Sequence, residues 1–376
     1  MQKRLFALFY MLLAMGMFFT TMGRLAINKA FANESFWTNI ESNIESVLPG
    51  KAQFREIYGC VNRIISPNEI AENGGAIIRD KEGFLEKYCY VSLDVKDEEN
   101  KILELNEICE KADADFVYVS YPSKTDDDIT TTYYGIETNG KENRNEFLTG
   151  LERKNINILD VRAMLEADGY DVHDLFYKTD HHWKSTAGLY GANAIVNYLN
   201  QTFGYTFRDD LIDETKFEFT TYDNLWLGET GRRVSKTWAR VLDDFTEITP
   251  TYETSLSIGN YGDEERTEGE FSMLIDESGY DGNIDLYNYS AHYSYKGSGS
   301  MTAIHNNNVD KGKVLIIKDS FSVVVIPFLS LAVQDVVVWD MRATKDGLYD
   351  FIEQNDFDAV ILAYSGVWNF EMFQFN

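Results

Sequence analysis

Lys313-Val314-Leu315-Ile316-Ile317-Lys318-Asp319-Ser320-Phe321 reads as a strand that runs directly into a serine. Four consecutive large aliphatic residues leave the strand no polar face, so both of its sides must be covered, the condition found in parallel sheets flanked by helices. In such sheets chemical groups gather beyond the carboxyl ends of the strands. Ser320 falls there, at the start of a predicted helix over Phe321 to Ala332.

Outward from this stretch the same alternation repeats. Downstream, a strand is predicted at Val336–Trp339, a helix at Asp346–Gln354 and a last strand at Ala359–Ala363. Upstream, Ile102, Leu105 and Ile108 place a helix over Asp97–Lys111, followed by a strand at Phe116–Tyr121 that Pro122 ends. A helix near Glu142–Lys154, a strand at Ile156–Leu159 and a helix at Val161–Ala167, stopped by Gly169, come next. Ser185 or Thr186 can cap a further helix with Leu189, Ala192, Ile195, Val196 and Leu199 as its apolar face. Five parallel strands with helices between them predict an α/β, doubly wound sheet.

Residues 204–310 interrupt that pattern. They are rich in Tyr, Thr, Gly, Asp and Ser, with aromatic pieces such as Phe217-Glu218-Phe219 and Leu286-Tyr287-Asn288-Tyr289, and predict a β-rich insertion rather than a linker. The α/β domain is therefore expected in two parts, 97–203 and 311–376. Ahead of it, residues 33–96 hold an N-terminal helix region, with Phe36, Ile40, Ile44, Val47 and Leu48 stopped by Pro49-Gly50, and a small hairpin around Ala76-Ile77-Ile78.

Lys3 and Arg4 precede an apolar run from Leu5 to Phe19, and Ala30-Phe31-Ala32 offers a small-x-small cleavage site. Residues 1–32 are expected to export the protein, either as a signal peptide or as a membrane anchor; the two remain open. In 376 residues, 61 acidic against 34 basic ones give a charge of -27 without a long basic block. A nucleic-acid partner is not expected, because it would require a cationic face. Cys60, Cys89 and Cys109 show no metal spacing and allow at most one disulfide.

Thr179-Asp180-His181-His182-Trp183 carries the chemistry that a serine needs. A hydroxyl is a weak nucleophile until a base removes its proton, and the base needs a third group to fix its tautomer. His182 and Asp180 supply those types just ahead of a helix start. The bland alternatives are that Asp319 or Ser320 only caps a helix and that the histidines are structural. A metal site on Asp180, His181 and His182 is disfavoured, since adjacent histidines seldom point at one ion, and no cofactor is expected.

These residues resemble the DHHW protein family of Gram-positive bacteria, which is similar to the alginate O-acetyltransferases with SGNH-hydrolase-like domains. The resemblance runs from about Leu48-Pro49-Gly50 onward and includes Leu227-Gly228-Glu229-Thr230-Gly231 before Arg232-Arg233. It implies an SGNH-like fold in permuted motif order, with Asp180 as orienting acid, His182 as base and Ser320 as nucleophile. His181 stands where the alginate enzymes have a small polar residue, which makes it a binding candidate. Lys124, in Tyr121-Pro122-Ser123-Lys124, resembles a Pro-x-Lys element of that group; Arg342, after a strand end, could hold an anionic group. For both, a solvated loop charge is the competing reading.

The resemblance further implies an extracytoplasmic serine O-acyltransferase acting on a cell-envelope or secreted polysaccharide, with a membrane-bound O-acyltransferase partner delivering the acyl group. The expected rivals are a carbohydrate esterase, in which water replaces the sugar, and a non-catalytic glycan-binding protein.

Overall fold

The computed structural model describes residues 15–18, 20, 49–72, 75–87, 89–126, 138–276, 295–366 and 370–376. Two compact units divide at Ile65 and Ser66. In the first, helix α1 (Lys51–Ile65) follows the Pro49-Gly50 turn, where Gly50 takes a φ of 77°. The helix anticipated before that turn and the Leu286–Tyr289 piece lie outside the described residues, as do the Ala30–Ala32 site and most of the apolar run.

The second unit begins with strands β1 (Glu69–Glu72), β2 (Gly75–Arg79) and β3 (Leu85–Glu86), a three-stranded sheet built on the expected hairpin. Then follow α2 (Lys96–Lys111), β4 (Asp115–Ser120), α3 (Gly140–Arg153), β5 (Ile158–Asp160), α4 (Val161–Ala167) and α5 (Ser185–Phe203). The central segment carries β6 (Phe217–Trp226), α6 (Glu229–Val234), α7 (Lys236–Ala239), β7 (Asp243–Pro250), β8 (Leu256–Asn260), β9 (Thr267–Gly269) and β10 (Thr302–Asn306). The chain finishes with β11 (Lys313–Lys318), α8 (Ile326–Ala332), β12 (Asp335–Trp339), α9 (Leu348–Glu353) and β13 (Ala359–Tyr364).

Eight strands form one sheet in the order β5-β4-β13-β11-β12-β10-β8-β9. The first five are parallel, as predicted, and β11 lies between β13 and β12, fourth of the eight strands. Period-two alternation splits their side chains. Val314, Ile316, Val336, Val338 and Ile361 face one core with α4, α5 and α8, while Leu315, Ile317, Val337, Val360 and Leu362 face another with α2, α3 and α9. Withdrawing each of these aliphatic side chains from water contributes about 1.5–3 kcal/mol, so the two cores hold β11 and the serine beyond it in place.

Two expectations are refined. The 204–310 segment is β-rich, as expected, and part of it continues the main sheet: β10 pairs antiparallel with β12, β8 with β10 and β9 with β8. An exposed edge of β12 would leave a row of unpaired backbone groups, and β10 covers it. Among the described strands of this segment, the β6–β7 ribbon, with α6 and α7 between its strands, stands outside that sheet. The helix predicted over Phe321–Ala332 is also broken. Ser320–Val324 forms a 3-10 turn and α8 starts at Ile326, where Pro327 sits in the first turn and needs no N–H partner.

The turn after Ser320 is gripped from one side by α5. A Cβ on Gly188 would lie 2.2 Å from the carbonyl oxygen of Val324, so only glycine permits that approach. Ser185 and Thr186 do not cap α5. Lys184 is the capping position, and the Ser185 hydroxyl donates instead to the carbonyl of Thr246 in β7.

Candidate active site

Asp180, His182 and Ser320 meet in a continuous hydrogen-bonded line. Asp180 Oδ1 lies 2.6 Å from His182 Nδ1, and His182 Nε2 lies 2.7 Å from Ser320 Oγ. Asp180 and His182 are buried, whereas Ser320 is half-buried and so reachable by a reactant. The His182 ring has its two nitrogens on two different partners, which is the arrangement a general base needs.

Local geometry explains why Asp180 can do this from two residues away. Its Oδ1 also accepts the His182 backbone N–H at 3.0 Å, closing a tight turn, and its Oδ2 accepts the Glu229 N–H at 2.6 Å. Burial pushes the Asp180 carboxyl up, but the adjacent His182, His181 and these hydrogen bonds outweigh it and hold the group well below the usual carboxylate range. The acid is thus an anion wherever the imidazole has to become positive.

The turn carrying Asp180 is itself held by the segment between β6 and β7. Gly228 N–H donates to Thr179 Oγ1 at 2.7 Å and Gly231 N–H to the Thr179 carbonyl at 2.8 Å. A Cβ on Gly228 would stand 2.5 Å from Asp180 Cβ, so the backbone approach requires glycine. From the other side, the buried Asp243 carboxylate accepts the backbone N–H groups of Lys178 at 2.6 Å and Thr179 at 2.8 Å, and the Thr179 hydroxyl. Leu227, Val234 and Trp238 from this segment pack with Ile70, Ile77 and Leu85, so the small sheet buttresses the acid.

Trp183 ties the His182 segment to the Ser320 turn. Its indole N–H donates to the Phe321 carbonyl at 2.9 Å, and its ring packs on Tyr121 at 4.7 Å. Tyr121 in turn receives a hydrogen bond from Ser322 at 3.1 Å. Asp319 does cap the turn: Oδ1 accepts the Phe321 N–H at 2.9 Å while Oδ2 accepts the Ser365 N–H and hydroxyl, each at 2.7 Å. The capping role thus falls to Asp319, while Ser320 Oγ lies on His182 Nε2. The Phe321 amide, a backbone donor of the kind that can face an oxyanion beside a reacting serine, is engaged by Asp319.

The other sequence candidates separate. His181 lies beside this Asp180–His182–Ser320 line, 47% exposed, with its ring 3.8 Å from that of His182 and Nδ1 3.5 Å from Glu229 Oε2. The surrounding protein, and then His182, lower its pKa to about 4, against the pull of Asp180 and Glu229. Lys124 overturns both of its readings. It is neither solvated nor open to substrate: its side chain is 1% exposed, its ammonium donates to the Leu85 carbonyl at 3.1 Å and stands 3.9 Å from Glu86. Burial lowers its pKa and raises that of Glu86 to about 7, each partner pulling the other back. Arg342 is clamped on Asp340 at 2.9 and 2.6 Å, and Lys318 joins the same carboxylate at 2.9 Å, so an internal anion already occupies the guanidinium.

Asp180, His181 and His182 offer metal-ligand atoms within 4.8 Å of one another. Both ring nitrogens of His182 are nevertheless engaged, by Asp180 and Ser320, so a metal there would have to break the line. Among the described residues the three cysteines are free, with Cys109 buried.

Sequence reasoning missed Asp243 and Ser365, because an isolated acid or serine in a polar loop carries no pattern. Gly228 and Glu229 had one signal, the Leu227–Gly231 run, without a role attached to it.

A sheet with a serine turn after a parallel strand and an Asp-x-His turn ahead of a long helix is an α/β arrangement similar to that of SGNH-hydrolase-like domains. Residues 96–247 match the family model described as SGNH hydrolase-like domain, acetyltransferase AlgX, which includes Asp180 and His182. In fold the chain is similar to the structure of Bacillus cereus PatB1 with a sulfonyl adduct, at a TM-score of 0.64 and 20% identity over 82% of this chain and 100% of that one. It is also similar to a DHHW family protein from Eubacterium siraeum, at a TM-score of 0.57 and 19% identity over 78% of this chain and 91% of that one. No curated protein sequence matches the chain.

Proposed function

We propose that this protein is an extracytoplasmic serine O-acyltransferase that moves an acyl group, most simply acetyl, onto a hydroxyl of a cell-envelope or secreted polysaccharide. The observation that carries the reading is the 2.7 Å contact of His182 Nε2 with Ser320 Oγ, backed by the 2.6 Å contact with Asp180. The acetyltransferase family model over residues 96–247 supports transfer over plain hydrolysis.

In this mechanism Ser320 Oγ attacks the donor's acyl carbonyl as its proton passes to His182 Nε2. The imidazolium, stabilised by Asp180, then protonates the leaving group, and the acyl group remains on Ser320. A sugar hydroxyl next gives its proton to His182 and attacks the acyl carbon; Ser320 departs and recovers a proton from the ring. Such a base contributes on the order of 10²–10⁴-fold. The resemblance adds a membrane-bound O-acyltransferase as donor partner, and the N-terminal apolar run adds export, as a signal peptide or as a membrane anchor. Among the described residues no helix is long and apolar enough to cross a membrane.

The test uses purified protein, a chromogenic acetyl ester and a serine-directed covalent probe. Reaction of the parent with both, and of Ser320→Ala with neither, is expected. Acetyl transfer to an oligosaccharide in preference to water distinguishes transferase from esterase; a Ser320→Ala protein as reactive as the parent ends the triad reading.

A further inference from the structure

Helix α1 is built with its sides reversed. Phe54, Ile57, Tyr58, Val61, Ile64 and Ile65 are all exposed, between 45 and 83%. At 100° per residue these six fall within an arc of about 120°, one continuous apolar stripe. On the opposite side Gly59 is buried and Arg55 and Glu56 are half-buried. A helix that covers part of its polar side and shows water its apolar one has a second surface to meet.

Charge indicates what that surface is. Lys51, Arg55 and Arg63 against Glu56 leave α1 at +2, within a chain of -27. A second copy paired stripe to stripe would bring two +2 helices against each other and two chains of -27 together, which opposes pairing. An anionic lipid surface attracts the helix and accepts the stripe. At 15 residues α1 spans about 22 Å, too short for a bilayer core of about 30 Å, so it would lie in the interface rather than cross.

We infer that α1 is a membrane-interface helix that seats its Phe54–Ile65 stripe in the headgroup region of an anionic bilayer. This is independent of the acyl-transfer reading, because it makes no use of Ser320, His182 or Asp180. It is also distinct from attachment by the N-terminal apolar run, since a run that only tethers would leave α1 in water.

The experiment places one nitroxide on the full chain reconstituted in vesicles of phosphatidylcholine, with or without phosphatidylglycerol. Cys60→Ser and Cys89→Ser remove the reachable thiols, while buried Cys109 stays. A label at Val61→Cys is expected about 5–10 Å below the headgroups, shielded from an aqueous relaxant and open to oxygen, while one at Arg63→Cys remains aqueous. Phosphatidylglycerol should deepen the first label, and Arg55→Glu with Arg63→Glu should abolish that deepening. A Val61 label in water in both vesicle types overturns the inference. So does spin–spin broadening between copies without lipid contact, which would assign the stripe to a second chain.

Discussion

His182 and Ser320, 138 residues apart in the chain, place Nε2 and Oγ 2.7 Å from each other. The contact exists because Trp183, the next residue, is hydrogen-bonded to the carbonyl of Phe321, the residue after the serine. Two adjacent pairs from distant segments are thus locked in register.

From that contact, Ser320→Ala and His182→Ala should each lower kcat by on the order of 10⁴-fold or more, and the double variant should be no worse than either single one. Asp180→Asn should cost about 10⁴-fold by favouring the wrong imidazole tautomer. Steady-state kinetics on an acetyl ester and an acceptor glycan measure all four.

Gly228→Ala should damage catalysis without touching a reacting group. Its new methyl would meet Asp180 Cβ at 2.5 Å and the Thr179 carbonyl at 2.7 Å, forcing the acid's turn to move. A displacement of about 1 Å at the base is expected to cost about 10²-fold in kcat, with the far-ultraviolet circular dichroism unchanged. Full activity in the variant would show that the turn does not govern the acid.

Lys124→Met should destabilise the fold by about 3–5 kcal/mol, because Glu86 would be left as a buried, unpaired acid. Replacing both, Lys124→Met with Glu86→Leu, should recover most of that loss. Urea denaturation of the single and double variants decides between a paired buried ion and a surface charge, for which neither change would exceed about 0.5 kcal/mol.

His181 predicts acid sensitivity. Its pKa is lowered from 6.5 to about 4, so the unfolded chain takes up this proton before the folded one does. The stability it contributes is present above pH 6.5 and is lost as the pH falls through about 4. Thermal midpoints recorded from pH 7.5 to 4 should fall, and His181→Asn should flatten the upper part of that decline. Asp180, held low, acts in the same direction at still lower pH.

Much of the fold was written in local pattern. The apolar strands, the Val161–Ala167 helix and the long helix from Ser185 could be read because burial on both faces and 3.6-residue periodicity each impose a repeating composition. The catalytic residue types were legible as well, since an acid two residues before a histidine and a serine after a buried strand are local arrangements. Their meeting was not. It depends on α5 packing against the turn at Gly188 and on the Trp183 bridge, contacts between segments that share no pattern.

The middle of the chain shows the same limit from the other side. Its aromatic, turn-rich composition indicated strands but not where they pair, because register and edge choice are set by the unpaired backbone of β12, which only the assembled sheet presents. Lys124 and Asp243 make the point for single residues. A charge in a loop is solvated by default, and both were buried only because the small sheet and the β6–β7 segment close over the acid's turn. By itself the sequence determined the elements, the layered α/β class and the chemistry available. The tertiary structure alone decided which acid, base and serine stand within hydrogen-bond distance, since that rests on long-range packing rather than on neighbours in the chain.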